Sequence, residues 1–423
     1  MNLGRGVDYF SLKGAGMEGE KLWGVVKIVG VLALVIMIPR MFMDHDEKKQ
    51  PGYCQEQESL SLGVDTFFSS LSWYRQLSGK RIAFVGDNLS CNSDGIRTLK
   101  LFVSNKFDVR QAFIVRSKYE NSYEEPHYGG AGLVRVEEHN FSPHFFSSYA
   151  QEVDAFVVDL QNSGLIFNFS VKVFLQLLTC ASKMNKEVFI LDRPNIFGGD
   201  VEGPGALPFR FGLTFGELAR YVASSNIKAP LRLSVVPMKG WVRSLTSLFN
   251  SADQSHLRLS SVLEPLSGVR PFKIPEYTQQ GGIAFFAEQT HHLSQWELDY
   301  LKMLSIRSGI VVSFDSTLFP QHLMLRDIYD VESFAVLPTF LKFARFFGNR
   351  KSLNVSYSDN LDEIMGASCV RKFCNGKLDF VTLKKEVESS QEKFVQDVRP
   401  FLIYDSSIRS LELQEILVAD VRA

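Results

Sequence analysis

The sequence predicts an α/β protein: a doubly wound, Rossmann-like parallel sheet, followed by a smaller α+β domain and preceded by one N-terminal transmembrane helix. Three observations lead there. Short apolar runs alternate with helix-like segments from about Gly79 to Arg243; several of those runs end abruptly in acids and amides; and a long, almost uncharged stretch lies near the amino end, from Trp23 to Met43. Strands alternating with helices build a parallel sheet covered on both faces. The division that follows is a short tail at 1–22, an anchor at 23–43, a tether at 44–78, a site-bearing Rossmann-like domain at 79–243 and an α+β domain at 244–423.

Trp23 to Met43 carries only Lys27 and Arg40, and its 21 residues come close to the roughly 20 that cross a bilayer as a helix. Lys13, Lys21 and Lys27 precede its core and Asp44, Asp46 and Glu47 follow it, so the positive-inside tendency leaves the amino end in the cytoplasm and the bulk of the chain extracytoplasmic, in the periplasm or cell envelope if the source is bacterial. A cleaved signal peptide is the rival, because the uncharged centre, Ile28 to Ile38, is only 11 residues long. Pro39-Arg40-Met41-Phe42-Met43 offers no small-x-small cleavage site, which favours an uncleaved anchor. The polar, mixed stretch from Asp44 to about Ser78 reads as the tether.

Arg81 to Gly86 reads as the first buried strand, with a helix-like stretch at Ile96 to Asn105 behind it. Further strands follow at Val109 to Val115, Asp154 to Leu160, Glu187 to Asp192 and Leu231 to Val236, with helices at Val171 to Met184 and Thr214 to Ser224. Beyond Ser244 the pattern gives strands at Gly309 to Phe314 and Leu353 to Tyr357 and an amphipathic helix at Leu383 to Val398.

In such sheets ligands bind beyond the carboxyl ends of the strands. Asp87 and Asn88 follow the first strand; Asp159, Gln161 and Asn162 the third; Asp192, Arg193 and Asn195 the fourth, just ahead of Gly198-Gly199-Asp200-Val201-Glu202-Gly203-Pro204. Each alone also reads as a turn residue or helix cap, and Asp192-Arg193 also reads as a structural ion pair. Three polar strand ends together favour a cleft.

Composition narrows the partners. Lys plus Arg at 46 against Asp plus Glu at 47 gives no global field to draw in nucleic acid. The five cysteines are sparse, and Cys369 and Cys374 lack a second pair or a histidine at zinc spacing. The paired His291-His292 reads as surface rather than metal site. The 35 phenylalanines read chiefly as core, with stacking on a flat ligand as the alternative. Gly86-Asp87-Asn88-Leu89-Ser90 lacks the glycine spacing of a dinucleotide turn, and no phosphate-binding loop, His-Glu-x-x-His helix or Gly-x-Ser-x-Gly elbow occurs. No metal and no nucleotide cofactor is expected.

The chain resembles the exo-β-N-acetylmuramidases of the NamZ type, bacterial peptidoglycan-recycling glycoside hydrolases. The likeness rests on Leu191-Asp192-Arg193-Pro194-Asn195 with Val201-Glu202-Gly203-Pro204, on Asp159-Leu160-Gln161-Asn162-Ser163-Gly164, on Gly212-Leu213-Thr214-Phe215-Gly216-Glu217-Leu218-Ala219, on Val236-Pro237-Met238-Lys239-Gly240-Trp241 and on Arg399-Pro400-Phe401-Leu402-Ile403-Tyr404. It implies removal of N-acetylmuramic acid from the non-reducing end of peptidoglycan fragments in a cleft between two domains. Carried onto this chain, it makes Glu202 the leading catalytic acid and Asp192 a cleft carboxylate or its orienter. Arg193 and Asn195 would bind sugar hydroxyls or the lactyl carboxylate, with Asp159, Gln161 and Lys239 as further substrate contacts.

Glycoside hydrolysis ordinarily uses two carboxyl groups roughly 5 to 9.5 Å apart. Where the family carries Pro-Glu-His-Gly after its second strand, this chain has Ser117-Lys118-Tyr119-Glu120, so the second carboxyl falls to Glu120, or to Glu124 or Glu125, if the loop re-registers; a solvated acidic loop is the other reading. Phe211 and Phe343 stand at family histidines and Asn162 at an aspartate. Two functions follow from this pattern: an envelope-tethered muramidase, or a catalytically impaired homologue that binds glycan or serves as a scaffold.

Overall fold

The computed structural model describes residues 60–116, 131–161, 164–225, 230–244 and 361–411, with the backbone of short strands between 269 and 357. All belong to the unit Glu58–Ala423. Among the described residues no helix is long and apolar enough to cross a membrane, and the expected anchor at 23–43 lies outside them.

Six strands form one parallel sheet: β1 (Arg81–Gly86), β2 (Asp108–Val115), β3 (Gly132–Val136), β4 (Ala155–Asp159), β5 (Glu187–Leu191) and β8 (Arg232–Val236), in the order β3-β2-β1-β4-β5-β8. Neighbouring strands all run parallel, with Gly86 beside Ile114 on one side and Asp159 on the other. The order reverses between β1 and β4, the switch point at whose carboxyl edge sheets of this kind bind their ligands. The edge strand β3 escaped the sequence reading. Its five residues include exposed Gly132 and Arg135 and only one buried position, Val136, so no apolar run marks it.

The central strands are apolar because both faces are covered. On one face lie α1 (Gly63–Ser69), α2 (Leu71–Leu77) and α3 (Thr98–Ser104), whose Val64, Phe67, Leu77, Leu99 and Phe102 pack with Ile82, Phe84, Val157 and Phe189. On the other lie α4 (Phe169–Lys183) and α5 (Phe215–Ser225), where Phe174 stacks on Phe215 at 4.3 Å between centroids. Asn168 caps α4 by accepting from Ser170 N at 3.0 Å, the role expected of an amide at that position. Among the described residues most phenylalanines belong to the core: Phe67, Phe68, Phe102 and Phe107 form one group of tilted and edge-to-face rings, and Phe113, Phe145 and Phe146 an edge-to-face group.

The tether reading fails from residue 60 onward. Residues 63–77 form two helices docked on the sheet, and Gly63 N donates to Asp192 O at 2.9 Å. A Cβ on Gly63 would lie 2.2 Å from Asp192 N, so only glycine lets the helix start so close to the end of β5. Gly63, Ser69 and Ser72 in the two short helices, and Ser70 between them, interrupt the apolar residues, which is why the segment looked like linker.

The remaining strands are short. β6 (Asp200–Glu202) and β7 (Arg210–Phe211) pair antiparallel, and β15 (Arg409–Ser410) adds to β6 in parallel. β9 (Val269–Arg270) pairs with β14 (Ser356–Tyr357), while β10 (Phe272–Lys273), β11 (Ile283–Ala287), β12 (Ile310–Phe314) and β13 (Leu323–Ile328) make an antiparallel sheet. α6 (Leu361–Met365), α7 (Cys369–Cys374) and α8 (Phe380–Val398) follow. Although the sequence places α8 in the second domain, its Phe394, Val395 and Val398 join the core that holds Val158, Ile190 and Phe215.

Candidate active site

Polar residues just beyond the strands assemble into three connected groups, and every residue from Leu191 to Gly199 is buried. At the switch point, the Arg193 guanidinium grips Asp159 in a two-point pair, Nε to Oδ1 and Nη2 to Oδ2 at 3.0 Å, and donates to Cys91 O. Asp159 is 0% exposed. A buried carboxylate is tolerated when a guanidinium meets both its oxygens. Gln161 Nε2 donates to Pro194 O at 2.8 Å, and Asn195 donates to Leu213 O at 3.1 Å while accepting from Phe197 N at 2.9 Å.

Asp87 stands at the tip of β1 over this pair. Its Oδ1 accepts from Leu89 N at 2.8 Å and its Oδ2 from Gln161 N at 2.7 Å, so it ties the tips of β1 and β4 together. Ser90 Oγ accepts from Asp87 N at 2.7 Å and donates to Asp159 O. Desolvation pushes the Asp87 carboxyl up, against the pull of the Gln161 amide and of the Arg193 charge. Asp87, Asn88 and Leu89 are half-buried, unlike the Asp159–Arg193 pair beneath them.

The second group gathers on the α5 side. Consecutive residues leaving a strand point opposite ways, so Arg193 turns toward β4 and Asp192 toward α5. The Asp192–Arg193 ion pair, the alternative reading of that dipeptide, therefore does not form: Asp192 accepts from Thr214 Oγ1 at 2.7 Å, Gly216 N at 2.9 Å and Tyr404 Oη at 2.8 Å. Burial raises its carboxyl to about 7, with those three donors opposing and Glu217 assisting. Thr214 and Glu217 form a reciprocal helix cap, with Thr214 N to Glu217 Oε2 at 3.0 Å and Glu217 N to Thr214 Oγ1 at 3.2 Å. Threonine followed three residues later by glutamate is the sequence signal that announces this cap. Glu217 also receives Arg243 and Ile403 N, and Arg243 reaches Asp405 at 3.0 Å.

Glu202 belongs to the third group. It is 3% exposed and faces Arg210 at 3.7 Å, while Arg210 also reaches Asp200 at 3.0 Å and lies over the Phe197 ring at 4.7 Å. Arg409 holds Asp200 at 2.7 Å, and its amide bonds Gly199 O, so the carboxyl-terminal segment straps this loop down. Phe211, at the family histidine, is fully buried in the core.

Asp87, Asp159, Gln161, Arg193 and Asn195 are thus brought together; Asp192 and Glu202 face other partners. Lys239 is exposed, with its backbone bridged to Ser61 at 2.9 and 3.0 Å. Glu120, Lys118, Tyr119, Asn162, His291, His292 and Phe343 lie outside the described residues. Arg210, Glu217, Arg243, Tyr404 and Asp405 were not singled out as site residues in the sequence: Glu217 and Tyr404 stand there only within family motifs, and Arg243, Tyr404 and Asp405 hold partners far off along the chain. Among the described residues no three His, Cys, Asp or Glu side chains gather as a metal would require.

The strand order and the polar switch point define a Rossmann-like α/β protein. Two crystal structures of DUF1343 family proteins from Bacteroides fragilis share the fold, with TM-scores of 0.61 and 0.58 at 17% and 16% identity; each superposition covers 82% of this chain and 99% of the other. Residues 143–266, the stretch holding β4 to β8, match the family model of the exo-beta-N-acetylmuramidase NamZ N-terminal domain. No curated protein matches the chain.

Proposed function

We propose that this protein trims muramic-acid-terminated peptidoglycan fragments from their non-reducing end, at the carboxyl edge of the sheet around the β1–β4 switch point. The observation that carries the reading is the half-exposed Asp87-Asn88 tip held over the rigid Asp159–Arg193 pair, in a chain whose adjoining segment matches the muramidase model. In this reading Asp159, Gln161, Arg193 and Asn195 fix the floor of the sugar site, and Asp192 and Glu202 hold the surrounding turns. Lys239 reaches the lactyl carboxylate, and Glu120 supplies a carboxylate from the segment after β2. The apolar stretch at 23–43 would keep the protein in the cell envelope. Incubation with a muramic-acid-terminated disaccharide tests it: free N-acetylmuramic acid supports the reading, and no release above an enzyme-free control removes it.

A second reading, glycan binding without turnover, is favoured by one observation. Asp159, Asp192 and Glu202 are buried and engaged by Arg193, by Thr214 with Tyr404, and by Arg210. Calorimetry with the same disaccharide separates the two, since binding with no released sugar fits only the second.

A further inference from the structure

We propose that Asp87 is the acid that protonates the departing glycosidic oxygen, a role that falls on none of the motif carboxylates. The inference rests on the hydrolytic reading above. Asp87 leaves the central strand where the strand order reverses, the position at which such sheets present their ligands. Its rotamer is fixed by Leu89 N and the Ser90 hydroxyl at Oδ1 and by Gln161 N at Oδ2, so the lone pair left on Oδ2 has a set direction. Among the described residues no cation forms an ion pair with it: the Arg193 guanidinium below is spent on Asp159 and on Cys91 O. Asp159, Asp192 and Glu202 are buried, whereas Asp87 and its neighbour Asn88 are only half-buried at the carboxyl edge of the sheet.

A general acid needs a proton that stays on near the working pH and geometry held by its neighbours. The charges felt at the Asp87 carboxyl are Arg193, beyond β5, and Asp159, on β4; the Cys91 thiol, on the loop after β1, feels Asp87, Asp159, Arg193 and Arg97 in turn. Burial outweighs the Arg193 attraction and keeps the carboxyl protonated to higher pH than a free one. In the reaction the C1–O bond breaks with its electron pair going to oxygen, which takes the Asp87 proton. Water delivers hydroxide to C1, and its remaining proton restores the Asp87 carboxyl through solvent.

The test compares two substrates on the full chain: an aryl muramide with a nitrophenolate leaving group, which departs without protonation, and the unactivated disaccharide. For Asp87→Asn, kcat on the disaccharide should fall by about 10²- to 10⁴-fold, while kcat on the aryl muramide falls far less, and the alkaline limb of the pH profile should vanish. Because the ratio of the two rates is taken on one preparation, partial unfolding cancels. Equal losses on both substrates, or no loss, overturn the assignment while leaving the hydrolytic reading intact. Absence of turnover by the unaltered chain on both substrates removes that reading and this inference with it.

Discussion

The Tyr404 hydroxyl donates to Asp192 Oδ2 at 2.8 Å across a sequence separation of 212, and the same oxygen of Tyr404 accepts from Met238 N at 3.0 Å. One phenol thereby joins the carboxyl-terminal segment to the ends of β5 and β8. Tyr404→Phe deletes both bonds and leaves a buried amide and a carboxyl short of a partner, a loss worth about 1–3 kcal/mol each at most. A fall in the urea midpoint without change in slope is the expected outcome; an unchanged midpoint would show that the link carries no stability.

Asp192 also sets a pH dependence. Its folded-state value of about 7 exceeds the ordinary 3.8, so between those values the native state holds a proton that the unfolded state has released. Its contribution is full below about pH 4 and is lost as pH rises through 7, the direction linkage requires. Stability profiles of the unaltered chain and Asp192→Asn should converge at low pH and diverge toward neutrality in favour of the variant, apart from a constant offset. A difference curve flat from pH 4 to 8 would be incompatible with this.

The Asp159–Arg193 pair is buried on both sides. Removing one partner strands the other charge, a cost of about 3–5 kcal/mol. Arg193→Ala should therefore unfold at markedly lower temperature, and Arg193→Lys should recover only part of the loss because a lysine cannot meet both carboxylate oxygens. Full recovery with lysine would mean that charge alone matters there.

Gly63→Ala should destabilise the chain by more than a typical overpacking change, about 1–3 kcal/mol, because the added carbon would meet backbone at Asp192 N and Val236 O, at 2.2 and 2.7 Å, rather than a movable side chain. Calorimetric unfolding reads this directly. Alanine tolerated without loss would show that α1 docks loosely.

Most of the sheet was legible because buried parallel strands announce themselves as apolar runs: Arg81–Gly86, Glu187–Leu191 and Arg232–Val236 stand within a residue of where periodicity puts them. β3 and the helices at 63–77 were not, being short, edge-lying or rich in small polar residues. At the site, sequence identified the polar strand ends but not their directions. Asp192 and Arg193 are adjacent, yet a strand end sends them to opposite sides, and only the fold reveals that Arg193 belongs to Asp159 and Asp192 to Tyr404. Buried polar networks are pairings across long sequence separations, which spacing along the chain does not encode.

The most direct test is to supply the full-length chain with a soluble glycan fragment ending in N-acetylmuramic acid and to follow heat of binding and released sugar together. The account expects saturable binding with release of N-acetylmuramic acid from the non-reducing end. Neither heat nor sugar, from a chain shown to be folded, would contradict it.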